Sequence, residues 1–356
     1  MDEPILLRSG GRVPGRIGLA PLTNIQSHTD GRLGDDELAW LARRAAGGFA
    51  WLSTCATFVS EEGHAWDGQL GIAHEGHVEG LTRLATAMKS HGGFAVVQLH
   101  HGGAQAALAP TKLSTVDAQG QRAATPEDLE RVIADHVAAA ERARAAGFDG
   151  VELHGANGYL FTQFLAPEDN PRTDAWGGGL EGRARLLRDT LRAVRSAVPH
   201  PFTVGVRVSP VDTWNRRGLV LADGLQLGRW LVEDGADFLH LSLSDATAPP
   251  PHEPDAPPVA RAFRDALPDD VPILAAGGMW SAQDVAAARA VGVDLALLGR
   301  AAIANPDWPR QATQPGFEPV RPPWSAEHLE AVTVGAAFVQ YMSAFSGLVT
   351  GGRAQR

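Results

Sequence analysis

Cysteine is nearly absent: Cys55 is the only one in 356 residues. That excludes an intrachain disulfide and any cysteine-rich zinc or iron–sulfur site. Lysine is almost as scarce, with Lys89 and Lys112 alone. Neither sits in the Gly-Lys-Ser/Thr of a phosphate-binding Walker loop, and Schiff-base chemistry has little to draw on. No apolar run approaches the ~20 residues of a membrane-crossing helix. The opening MDEPILLRSGGR lacks the apolar core of a secretory signal, so the expected compartment is the cytoplasm. Positive charge is in deficit too: 31 basic against 41 acidic residues leave a formal charge of −10. Nucleic acid and anionic membranes are poor partners for such a surface.

What is present is a recurrence. Short apolar runs rich in β-branched residues fall at 16–20, 49–54, 94–99, 148–153, 202–208, 238–243, 271–276 and 294–299. Between most of them lie Ala-, Arg- and Leu-rich segments with helical spacing, at 35–47, 74–91, 126–146, 181–197, 223–234 and 281–291. Runs apolar on both faces are parallel strands covered by helices. Eight strand–helix units predict an α/β fold, a (β/α)8 TIM barrel, which takes ~250 residues or more. A doubly wound sheet would show fewer strands and an early Gly-x-Gly-x-x-Gly turn, which is missing. One domain is expected over residues 1–356, with a further C-terminal helix at about 326–345. The inserts 102–125 and 245–258, "DATAPPPHEPDAPP", follow strands three and six and so fall on the catalytic face.

In a barrel the informative residues are at the carboxyl ends of strands. These are Pro21 and Thr23; Ala56 and Thr57; Gln98, His100 and His101; His154, Asn157 and Tyr159; Arg207; Ser242 and Ser244; Gly277 and Gly278; Gly299 and Arg300. Glycines after strands seven and eight let backbone N–H groups approach an anion, and Arg300 adds a bidentate charge. A late phosphate site and one central arginine suggest a phosphorylated cofactor across the mouth. His100 and His101 point to opposite faces of their strand and lack a third ligand, so no metal is expected. His74 and His77 are expected in solvent on one helix face, Cys55 in the core, and Trp176 as packing.

The segments GRIGLAPLTN, VVQLHHGG, DGVELHGANGYLFTQFLAPEDNPRTDAWGGGLEGRARL, VGVRVSP and LLGRAAIANPDWP resemble the successive motifs of the Old Yellow Enzyme family. The family comprises FMN-dependent NAD(P)H oxidoreductases on a (β/α)8 barrel. The resemblance runs in order from about residue 13 to 310. It implies that Pro21 and Thr23 lie against the flavin, with the Thr23 hydroxyl on its C4 carbonyl, and that Ala56 is the small residue after strand two. It implies Gln98 at the flavin pyrimidine edge and Arg207 near N1 and C2=O. Gly278, Gly299 and Arg300 match the phosphate cradle, with Gly277 beside them. His154 and Asn157 match a pair that grips the substrate oxygen, and Tyr159 a tyrosine that delivers a proton. A C-terminal arginine reaches a neighbouring subunit's site in some relatives, which makes Arg353 and Arg356 candidates in a homo-oligomer.

The implied reaction reduces the activated C=C bond of an α,β-unsaturated carbonyl compound. Hydride from flavin N5 goes to one carbon and a tyrosine proton to the other, after NADH or NADPH has reduced the FMN. Two other readings stand beside it. An aldo-keto reductase needs a Tyr–Lys–His–Asp set, and the two lysines are poorly sited for it. A flavin- or ligand-binding barrel without efficient turnover has no need of His154, Asn157 and Tyr159 together. Dienoyl-CoA reductase relatives carry added iron–sulfur and dinucleotide domains, for which this chain leaves no room.

Overall fold

The computed structural model describes residues 3–212 and 217–352. Eight parallel strands close into a barrel. They are β1 (Ile17–Leu19), β2 (Trp51–Phe58), β3 (Phe94–His100), β4 (Gly150–Gly155), β5 (Thr203–Val208), β6 (Leu239–Ser242), β7 (Ile273–Ala276) and β8 (Leu295–Leu298). Leu297 opposite Gly18 closes the ring. A Cβ on Gly18 would lie 2.4 Å from the Leu297 side chain, so only glycine fits that seam. Among the described residues, seven helices surround the barrel: α1 (Asp35–Ala46), α2 (Val78–Lys89), α3 (Pro126–Ala145), α4 (Leu180–Ala197), α5 (Leu221–Glu233), α6 (Val259–Ala266) and α7 (Ala282–Ala290). Two short helices, Arg300–Ala304 and Trp308–Gln311, take the eighth position. The starts of α3 and α7 are written in sequence as capping boxes, Thr125 with Asp128 and Ser281 with Asp284.

The two ends of the barrel differ. A hairpin, Ile5–Leu6 with Arg12–Val13, closes the amino-terminal end. It packs Ile5, Leu7 and Val13 onto Trp51, Phe94 and Phe238. Trp51 stacks on Phe94 at 5.2 Å and meets Phe238 edge-on at 5.0 Å. Truncating so large a buried ring typically costs about 3–5 kcal/mol. Among the described residues the carboxyl end has no such plug, and it carries the polar strand ends, so chemistry belongs there.

Two expectations change. The C-terminal segment forms two helices, Ala326–Ala331 and Ala336–Ser343, not one. The chain turns through Thr333 at φ 62°. Buried Arg44 donates to the carbonyls of Val332 and Thr333 there, taking acceptors a continuous helix would use itself. His77 is buried, not solvated: its Nε2 lies 2.9 Å from the Asp30 carbonyl, and its ring stacks on His74 at 3.9 Å. A 3-10 turn at Glu75–His77 precedes α2 and rotates that ring inward. Helix α6, over residues to which the sequence reading gave no element, fills the gap before β7. Cys55 is a buried core residue as expected, and Trp176 packs partly buried against the core. No helix among the described residues is long and apolar enough to cross a membrane.

Candidate active site

Strand β4 ends in a turn that aims three side chains. Asn157 and Gly158 both adopt left-handed φ, 62° and 81°, a conformation asparagine and glycine tolerate best. The Asn157 N–H donates to Ser209 Oγ at 3.0 Å. The Gly158 carbonyl accepts from Gln105 at 2.6 Å and Gln163 at 2.8 Å. Tyr159 then begins the short, fully buried helix Leu160–Leu165. A relay fixes the Asn157 amide. Arg207 Nη2 donates to Ser242 Oγ at 3.0 Å, and Ser242 donates to Asn157 Oδ1 at 3.1 Å. With its oxygen occupied, Asn157 has its Nδ2 protons left for a ligand.

His154 precedes this turn and is buried at 4% exposure. Its Nδ1 has no partner. Burial above all, with His100 and the charge of Arg207 beside it, drives its pKa well below the usual histidine value. The ring is therefore neutral near pH 7. Tyr159 stands beside it, ring centres 5.3 Å apart. Burial, with Tyr341 nearby, pushes the phenol up to about 12 against the opposing effect of Arg207. His100 joins them, edge-on to Tyr159 at 4.4 Å. Its Nδ1 lies 3.1 Å from the Gln69 amide nitrogen, which makes Nδ1 an acceptor and puts the ring proton on Nε2. That Nε2 is buried without a partner.

A cavity of about 270 Å³ opens next to this group. Pro21, Asn157, Arg207, Gly278, Gly299 and Arg300 line it, with Gly277 and Trp280. A Cβ on Gly277 would fall 2.9 Å from the Leu243 carbonyl, and Gly278 holds φ 67°. Glycine is thus required at both. At Gly299 an added Cβ would meet only Leu22, at 3.6 Å. Arg300 is exposed and makes no ion pair among the described residues, while buried Arg207 has an unpartnered Nε. Larger hollows, about 600 Å³ at the plugged end and about 730 Å³ beside α1, hold none of these groups.

The remaining candidates are set back from that cavity. Ala56 follows a bulge in β2, where Thr54 Oγ1 replaces a strand carbonyl by accepting from Gln98 N at 3.1 Å. The Gln98 side chain donates to Glu152. Thr23 is half-buried, and its hydroxyl is near enough to the Tyr341 phenol to oppose the upward push that burial gives that group's pKa. Tyr341, from the last helix, has no motif around it and was not among the sequence candidates. Arg353 and Arg356 lie outside the described residues. No metal-binding cluster occurs among the described residues.

The donor set fits FMN. An arginine with no ion pair among the described residues, beside the open backbone of Gly299, suits a phosphate, and a buried arginine with a free nitrogen suits the polar edge of a flat ring. Such a barrel defines a class, the flavin-dependent oxidoreductases that carry their cofactor across the mouth. The chain belongs to the NADH:flavin oxidoreductase / NADH oxidase family, whose model matches residues 3–316. It is 34% identical over 321 residues to a probable NADH-dependent flavin oxidoreductase of Bacillus subtilis, covering 86% of each chain. It is 33% identical to the NADH:fumarate oxidoreductase of Klebsiella pneumoniae, covering 86% of this chain but 35% of that longer one. The old yellow enzyme homologue of Zymomonas mobilis superposes with a TM-score of 0.77 at 26% identity, over 92% and 95% of the two chains. The expected resemblance, barrel fold and FMN cofactor are borne out, with NADH or NADPH as reductant.

Proposed function

We propose that this single barrel domain, with its C-terminal helical extension, reduces the activated C=C bond of α,β-unsaturated carbonyl compounds. The observation that carries the reading is the trio of His154, Asn157 and Tyr159 on one turn, with uncommitted donors. Bound FMN supplies two-electron hydride chemistry between nicotinamide and alkene. Pro21, Thr23, Ala56, Gln98 and Arg207 hold its ring, and Gly278, Gly299 and Arg300 its phosphate.

The rest is the work of side chains. As hydride adds to the β-carbon, negative charge builds on the carbonyl oxygen. The neutral His154 N–H and Asn157 Nδ2 donate to that oxygen; one such donor is typically worth about 3 kcal/mol. Tyr159 gives its proton to the α-carbon. Its raised pKa keeps the phenol protonated throughout the neutral range, so the proton is always present. Arg207, buried with an unpartnered Nε, would hold the polar edge of the flavin ring and set a positive charge beside it.

The test is Tyr159→Phe, read separately in the two half-reactions. Reduction by NAD(P)H should be preserved, and alkene reduction slowed by about a hundredfold, as for loss of a general acid. Equal loss in both halves would remove the proton-donor role. A wild-type protein that holds flavin but is not bleached by NAD(P)H would favour a binding-only barrel.

A further inference from the structure

Below the mouth lies a polar network that the proposed reaction does not use. Glu152 on β4 is fully buried. Its Oε1 accepts from Gln98 Nε2 at 2.7 Å, and its Oε2 lies 2.9 Å from His240 Nδ1. Burial opposes its ionisation, but His240, Arg207 and the Gln98 hydrogen bond outweigh that and hold the carboxyl below its usual range. Burial keeps His240 neutral, lowering its pKa in spite of the carboxylate. The pair is therefore a carboxylate accepting from a neutral imidazole N–H.

An ionised carboxylate only accepts. The end of the Gln98 side chain that meets it must be the NH2, because a flipped amide would set oxygen against oxygen. No group among the described residues donates to Gln98 Oε1. We propose that Glu152 is a positioning residue that locks Gln98 as an obligate acceptor toward the pyrimidine edge of FMN. The inference rests on the FMN assignment of Gln98 made above. The only donor along that edge of the ring is the imide N3–H, flanked by two carbonyls. Gln98 alone could turn its amide to meet a carbonyl as readily as the N–H. Held by Glu152, and Glu152 in turn by His240, it selects the N–H.

The experiment titrates apoprotein with FMN and with 3-methyl-FMN, which lacks the N–H, following flavin fluorescence. Wild type should bind FMN at least tenfold more tightly than the methylated analogue. In Glu152→Gln the amide is free to turn, and that ratio should collapse toward one, mainly through weaker FMN binding. The flavin midpoint potential should rise as the buried anion is lost, by about 30 mV for each tenfold change in the reduced-to-oxidised binding ratio. A merely structural role would weaken both flavins alike and keep the ratio; that result overturns the proposal. If Glu152→Gln does not fold, the shorter carboxylate of Glu152→Asp is read the same way: a ratio that falls supports the lock, and a ratio kept at the wild-type value overturns it. A wild-type chain that takes neither flavin overturns the FMN assignment as well.

Discussion

Arg300→Gln isolates the phosphate end of the cofactor site. Arg300 opens a short helix directly after Gly299, lines the cavity and has no ion pair among the described residues. Its removal breaks no side-chain hydrogen bond or ion pair among the described residues, so stability should be unchanged. A charge-assisted hydrogen bond contributes about 1.5–3 kcal/mol. Arg300 is exposed, and solvent screening puts it at the low end, about 1.5 kcal/mol. That is roughly a tenfold loss of FMN affinity. Riboflavin has the same ring and no phosphate, and its affinity should not move. The assay is parallel fluorescence titration of apoprotein with FMN and riboflavin, at low and at high salt. The wild-type preference for FMN should shrink about tenfold in the variant, and shrink in wild type as salt screens the charge. Equal weakening of both flavins would refute the reasoning, because Arg300 would then be supporting the ring or the fold.

Ser242→Ala should weaken binding of a phenol or enone about tenfold, because Asn157 loses the donor that fixes its amide; unchanged binding would mean that the relay from Arg207 does not orient that side chain. His136 is buried on α3 with its pKa driven down to about 4 by burial. The unfolded imidazole takes a proton below its ordinary 6.5, so between those values the unfolded chain binds more protons and stability falls as pH falls. The loss is about 1.4 kcal/mol per pH unit, or about 2.7 kcal/mol at pH 4.5. Urea unfolding of His136→Gln should show a shallower decline over that window; an identical decline would place the histidine's charge elsewhere.

The barrel was legible because parallel strands buried on both faces leave continuous apolar runs, and eight of them alternate with helices. The β4 turn was legible because His154, Asn157 and Tyr159 lie within six residues. What escaped is held together across long separations. Glu152 and His240 are 88 residues apart and meet only when β4, β5 and β6 align. Tyr341 comes close to Thr23 from the last helix, a proximity that no local spacing announces. The break at Thr333 depends on Arg44, 289 residues earlier, whose guanidinium takes the carbonyls there. His77 looked solvated because helical spacing was read through a segment that is a 3-10 turn. Local pattern specifies elements and their order; buried polar contacts between distant strands follow only from closure of the ring.

The central claim is that one mouth of this barrel carries electrons from a nicotinamide to an activated alkene. The direct measurement is anaerobic and uses the purified wild-type chain loaded with FMN. Its visible flavin absorbance should bleach on adding NADH or NADPH and return in full, without oxygen, on adding 2-cyclohexenone. Bleaching that persists in the presence of the enone, and is reversed only by air, would contradict the account.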